Sequence, residues 1–146
     1  MLLHFSFVCC YMQEEETCMD HYPDACIFCD RNTTPIVHEN TSAYAMYDNS
    51  PVTPLHALVI PKRHVPDYFD LSYKELSDCH ELLRLMREEI QAHDPSVRAF
   101  NVGINVGKTA GQTIFHCHIH LIPRRTGDVE DPRGGIRHVI PGKGFY

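Results

Sequence analysis

Three histidines at alternate positions, His116, His118 and His120, stand in the run His116-Cys117-His118-Ile119-His120-Leu121-Ile122. In an extended chain successive side chains point to opposite faces. The three imidazoles therefore share one face, about 6.6–7 Å apart, while Cys117, Ile119 and Leu121 share the other. The second face has the composition of a core. A row of three imidazoles is no packing solution, and two chemistries fit it. Imidazole nitrogens can hold a catalytic zinc, with a distant residue completing the set. Alternatively, one imidazole attacks an electrophilic phosphorus and carries a covalent intermediate. The residues just upstream bear on the choice. In Asn105-Val106-Gly107-Lys108-Thr109-Ala110-Gly111-Gln112-Thr113, the two glycines allow close approach of the backbone to a ligand. Main-chain N–H groups with Lys108, Gln112 and Thr113 make a cradle for phosphate oxygens. The Gly-Lys pair does not open a helix in the pattern of a Walker motif.

A second cluster is Cys26-Ile27-Phe28-Cys29. A lone Cys-x-x-Cys is either a redox pair or half a zinc site. With no second such motif, a tetrahedral zinc takes two ligands from elsewhere in the chain. The chain around it lacks the βαβ pattern of a thioredoxin-like redox unit.

The elements that must position these groups are partly readable. Ala43–Tyr47 is a short β-prone run, and His56–Pro61 is a strand ended by its proline. Leu71–His93 is the one long helix. Ser72 with Glu75 makes a capping box, Leu76, Cys79, Leu82, Leu83, Met86 and Ile90 recur at helical spacing, and Asp94-Pro95 stops it. Arg98–Asn105 and Thr113–Ile122 read as two further strands, and 124–146, dense in Gly and Pro, as loop or tail. A helix among strands with hairpin-like returns predicts an α+β domain with an antiparallel sheet.

Length and composition set the frame. A chain of 146 residues, 43% hydrophobic and 22% charged, holds one domain with one core and is not a disordered polymer. Thirteen Lys and Arg against nineteen Asp and Glu give −6, which disfavours binding to nucleic-acid polymers. The charge is uneven. Residues 1–107 carry −9 and residues 108–146 carry +3, so the C-terminal quarter suits a small polyanion. Seven cysteines, an odd number, with no convincing secretory signal, point to reduced thiols in the cytoplasm, with Cys79 and Cys117 as small core residues. The apolar stretch Met1–Met12 is too short for a membrane helix and lacks the flanks of a signal peptide. Residues 1–20 are therefore expected to be a disordered extension or the product of a start codon assigned too early, with the domain over 21–127 and a tail over 128–146.

Gly111-Gln112-Thr113 before His116-x-His118-x-His120, with Pro51 to His64 (PVTPLHALVIPKRH) and the Cys26–Cys29 motif, resembles the histidine-triad family of nucleotide hydrolases and transferases. The resemblance spans roughly residues 24–127. It implies the HIT-like fold, an antiparallel sheet of about five strands with one long helix and a short helix. It implies that His118 is the nucleophile, attacking the α-phosphorus of a nucleotide, with its other nitrogen held by a backbone carbonyl. His120 and His56 would contact the phosphates, Gln112 the bridging or leaving oxygen, and Gly111, Thr113 and Asn105 further phosphate oxygens. Asp48 would sit on the ribose hydroxyls, unless it is only a turn residue of Asp48-Asn49-Ser50-Pro51. Cys26, Cys29, His64 and His116 would be the ligands of a structural zinc. A homodimer and a purine nucleotide substrate are likewise implied. Two departures stand out: Leu55 replaces the glycine common before the upstream histidine, and the tryptophan-containing C-terminus of the phosphoramidase branch is missing. Pro123-Arg124-Arg125 is more similar to the dinucleoside polyphosphate hydrolase branch. Adenosine phosphoramidase activity and nucleotide sensing without catalysis stay open as alternatives, and so does a zinc hydrolase with metal on the triad.

Overall fold

The structure, a computed structural model, describes residues 26–146. The expectations for residues 1–20, and for Cys9, Cys10 and Cys18, lie outside the described residues. Five strands, β1 (Ile36–Glu39), β2 (Ala43–Tyr47), β3 (Ala57–Pro61), β4 (Val97–Gly103) and β5 (Ile119–Arg125), and one helix, α1 (Tyr73–His93), follow one another along the chain, with α1 between β3 and β4. The strands form a single sheet in the order β1-β2-β3-β5-β4, and every pairing is antiparallel. This is the predicted α+β architecture. The expected short helix takes the form of single 3₁₀ turns, at Tyr68–Asp70, Lys108–Ala110 and Gly135–Val139.

Alternation decides what each face of the sheet does. Ala43, Ala45, Ala57, Val59, Ile119 and Leu121 point to one side and pack on Cys79, Leu82, Met86 and Ile90 of α1. Three alanines on that face let the helix lie close. Burying each large side chain of this layer is worth about 1.5–3 kcal/mol. Tyr44, Met46, Leu58 and Ile60 point to the other side and form a second cluster under Phe28. Cys79 and Cys117 are core residues as expected, and burial pushes their thiols up to about 12 and about 11. The predicted capping box is present: Ser72 accepts from the Glu75 backbone N–H, and the Glu75 carboxylate accepts from the Ser72 N–H at 2.8 Å. Helical residues begin at Tyr73; Leu71 is extended and closes the preceding 3₁₀ turn.

Two readings from sequence are corrected. The last strand runs over Ile119–Arg125, six residues later than the predicted start at Thr113. Pro123 does not end it, because β3 pairs with β5 only as far as Leu121. Beyond that point the side of β5 facing β3 carries no ladder, and a proline without an N–H costs nothing there. The Pro123 carbonyl on that side accepts from the Thr53 hydroxyl at 2.9 Å. At the other end, 113–118 is irregular and tied down by Cys117 N–H donating to the Val65 carbonyl at 2.7 Å. The strand β1 is also present, a four-residue edge too short to register as a pattern.

The C-terminal segment folds back onto the sheet rather than trailing away. Its 3₁₀ turn lies against β4, with Ile136 seated over Gly103. Gly134, at φ +83°, packs so close to the Gly144 carbonyl that a Cβ there would stand 2.1 Å from the oxygen. Arg137 donates to the same carbonyl at 3.1 Å.

Candidate active site

The histidines divide between two sites. His118 precedes β5 and is buried, and its Nδ1 lies 2.8 Å from the His116 carbonyl oxygen. A carbonyl only accepts, so Nδ1 carries a proton and Nε2 is the nitrogen that bears the lone pair in the neutral tautomer. His120 lies on β5, directly paired with Leu58 of β3 and Gly103 of β4. Its ring is 5.1 Å from that of His118. His120 Nδ1 is 3.0 Å from Nε2 of His56, which enters β3. His56 Nδ1 in turn faces the Asp48 carboxylate at 3.3 Å. The carboxylate favours the proton on His56 Nδ1. Nε2 then accepts from His120 Nδ1–H, and His120 Nε2 is left as a free base. Burial, reinforced by His118 and His56, lowers the His120 pKa to about 4, and burial lowers that of His56. Both rings are neutral at pH 7.

Leu55 holds His56 in place with a backbone at φ +67°, the left-handed region that a glycine adopts freely. The chain thus keeps a glycine-like conformation with a leucine. Leu55 packs against the main core, which offsets a strain of about 1–2 kcal/mol.

The glycine loop closes over the same end of the sheet. Gly107 and Gly111 take φ +82° and +89° around the turn at Lys108–Ala110. Gln112 is turned inward rather than toward a ligand. Its carbonyl accepts from the Gly107 N–H at 2.7 Å, and its amide donates to the Pro66 and Ile114 carbonyls. Gln112 thereby ties the loop to itself and to the chain after β3. Asn105 forms no side-chain hydrogen bond among the described residues and stands two positions beyond Gly103, the β4 partner of His120. Gly111 and Thr113 are exposed on the loop.

His116 faces away from this group. It is fully buried, with its ring 5.0 Å from that of His64. Its Nδ1 lies 3.5 and 3.6 Å from the sulfurs of Cys26 and Cys29, and Cys29 Sγ lies 3.3 Å from His64 Nδ1. The four ligand atoms fall within 4.8 Å of one another. Bonds of about 2.0–2.3 Å in a tetrahedron put ligand atoms about 3.3–3.8 Å apart, so the set fits a zinc ion. His116 Nε2 donates to the Pro61 carbonyl at 2.8 Å, which frees Nδ1 for a metal. His64 Nε2 is buried without a partner. The predicted row of three imidazoles on one strand face is thus corrected: His120 lies in the strand, and the bend at 114–116 turns His116 into the sulfur cluster.

Comparison with known proteins agrees with this geometry. The family model described as HIT domain matches residues 30–127. The chain belongs to the HIT family. A HIT relative from Schizosaccharomyces pombe, bis(5'-nucleosyl)-tetraphosphatase [asymmetrical], is 40% identical over 87 residues, covering 60% of this chain and 47% of that protein. Bis(5'-adenosyl)-triphosphatase of Dictyostelium discoideum is 37% identical over 89 residues, 61% of this chain and 59% of that one. The chain thus spans about half the length of these relatives. A Zn-bound histidine triad family protein from Mycobacterium smegmatis superposes with a TM-score of 0.66 at 31% identity, covering 73% of this chain and 80% of the other.

Within this HIT fold the basic C-terminal quarter is not a free anion site. Arg124 pairs with Asp128 and bonds Asn101, and Arg125 pairs with Asp94. Arg133 pairs with Asp131, and Arg137 is engaged by backbone carbonyls. Lys108, on the glycine loop, makes no such pair among the described residues.

Proposed function

We propose that this HIT protein is a hydrolase that cleaves the phosphoanhydride of a dinucleoside polyphosphate through a nucleotidyl-histidine intermediate. The observation that carries the reading is the Nδ1–H of His118 donated to the His116 carbonyl, which orients the ring and leaves Nε2 as the nitrogen that can attack. Nε2 attacks the α-phosphorus, the bond to the bridging oxygen breaks, and the other nucleoside polyphosphate leaves as an anion carrying that oxygen and its electron pair. Water then attacks the same phosphorus, the P–N bond breaks, and His118 recovers its lone pair. His120, backed by His56 and Asp48, faces the reacting phosphate, and its free Nε2 accepts the proton of the attacking water. Thr113 and Asn105 stabilise the charge on the oxygens, and Gly111, whose own N–H is donated to the Lys108 carbonyl, allows the loop to approach them closely. Asn105 supplies the side-chain amide at the bridging oxygen, and Gln112 braces the loop. The names of the S. pombe and D. discoideum relatives support the substrate class.

We further infer a structural zinc on Cys26, Cys29, His64 and His116. It would anchor His116, whose carbonyl holds His118. The edge of β4, unpaired among the described residues and with Val102 half exposed, is the surface on which a second copy would pair.

The test is a substrate panel of diadenosine polyphosphates, adenosine phosphoramidate and nucleotide sugars with product analysis. Diadenosine polyphosphates are expected to turn over fastest, and His118→Asn to abolish turnover while still binding nucleotide. Near-normal turnover by His118→Asn would refute the nucleophile.

A further inference from the structure

A cavity of about 760 Å³ lies between the sheet and the folded C-terminal segment. Its walls are mainly apolar: Ile122 on β5, Val52 in the loop before His56, and Ile136 and Val139 on the C-terminal 3₁₀ turn. It adjoins the histidines on three sides. Along β5, Ile122 follows His120 on the same face. Across the sheet, Ile136 sits over Gly103, the direct partner of His120. In the loop, the Val52 backbone nitrogen lies 3.4 Å from His56 Nδ1. Asn101, the cross-strand partner of Ile122, lends its carbonyl to Arg124 at 2.6 Å, and its amide NH₂ makes no hydrogen bond among the described residues.

We infer that this cavity is a nucleoside subsite, and that it takes the nucleoside at the far, leaving end of the polyphosphate. The inference rests on the proposed hydrolase reading and extends it. A volume in this range, apolar walls and a few fixed polar groups make a binding pocket for a flat, partly polar ring system. From His120, whose ring lies beside that of His118, to Ile122 the strand rises about 7 Å, a gap that a short phosphate chain bridges while its α-phosphorus stays at His118. Arg124 lines the cavity but is held by Asp128 and Asn101, so the cavity favours the neutral nucleoside over the phosphates. The C-terminal segment thereby becomes a specificity element: it makes a dinucleoside a better substrate than a mononucleotide with the same phosphate chain.

The experiment follows methyl resonances in His118→Asn protein, which binds without turnover. Adenosine 5'-monophosphate and diadenosine triphosphate are added separately. Leu58, beside His120, reports the reacting end; Ile136 and Val139 report the cavity. Diadenosine triphosphate is expected to shift all three, and the monophosphate only Leu58. In addition, Val139→Asp is expected to reduce the preference in kcat/KM for diadenosine triphosphate over adenosine triphosphate by about tenfold. Val139 is exposed, so this substitution spares the core. Shifts at Leu58 with both ligands and none at Ile136 or Val139 overturn the subsite and leave the hydrolase reading standing. Equal cavity shifts with the monophosphate overturn it too, since the cavity would then hold the transferred half. Shifts with neither ligand overturn the hydrolase reading itself.

Discussion

Asp48 shows how far a residue type can be read without its neighbours. The Asp48-Asn49-Ser50-Pro51 sequence suggests a turn, and the Ser50 N–H does bond the Asp48 carboxylate at 2.8 Å. The second oxygen faces His56, eight residues on, a contact no local pattern encodes. Removing the carboxylate by Asp48→Ala is expected to lower kcat about tenfold or more, since His56 and His120 lose their fixed tautomers. Steady-state kinetics decide: a rise in KM alone indicates a ribose contact and nothing more. Gln112 reads as a site residue by type, and its buried amide bonds three backbone groups that the sequence does not juxtapose. Leu55 is the reverse case, since the departure from glycine was visible and its consequence was not. Because its φ is positive, Leu55→Gly is expected to be more stable than Leu55→Ala by about 1 kcal/mol, the opposite of the usual order. Urea unfolding of the two variants measures this. His120 sets a pH response. Its pKa falls from 6.5 to about 4 on folding, so the unfolded chain takes up the proton first. Its contribution is complete above pH 6.5 and is lost progressively down to about pH 4. The urea midpoint of His120→Gln is expected to fall less between pH 7 and 5 than that of the wild type; an equal fall contradicts the buried neutral ring.

Among the elements, α1 was the most legible, because its cap and its apolar spacing are local properties. Glu75 has a second role that spacing does not reveal. Besides capping, it takes two hydrogen bonds from Arg63, at 2.8 and 2.9 Å, which join the helix start to the chain after β3. The Arg63 bond, with the Ser72 hydrogen bonds, holds the carboxyl at about 2, well below 4.5. A depressed carboxyl stabilises fully above pH 4.5 and loses that contribution as pH falls toward 2. Glu75→Gln is therefore expected to flatten the loss of stability below pH 4.5, and Ser72→Ala to cost about 1 kcal/mol at pH 7, both read from denaturant titrations. The last strand was misplaced for a reason of context. Proline predicts a stop only where a neighbouring strand needs its N–H, and β3 has already ended there. Likewise, the bend that sends His116 and His118 to different partners depends on Val65, some fifty residues earlier, accepting from Cys117.

For the whole molecule, the composition carries two oddities, eleven histidines and a basic C-terminal end. Five of those histidines fall into two adjoining clusters, the proposed phosphate site and the proposed zinc site. The arginines of the basic end are taken up by nearby partners, Arg124 by Asp128, Arg125 by Asp94 and Arg133 by Asp131, an outcome that net charge alone could not reveal. Chelation of zinc is expected to lower Tm by more than about 5 °C and to expose Cys26 and Cys29 to alkylation, because metal binding and folding are coupled. Less than about a tenth of an equivalent of zinc in the purified protein contradicts the Cys₂His₂ site. Nucleophilic attack by His118 is the claim on which the rest depends, and the stereochemistry at the α-phosphorus tests it directly. With a dinucleoside polyphosphate carrying a chiral α-phosphorothioate, hydrolysed in ¹⁸O-water, two successive in-line displacements predict retention of configuration in the product. Inversion would mean that water attacks phosphorus directly and that no nucleotidyl-histidine forms.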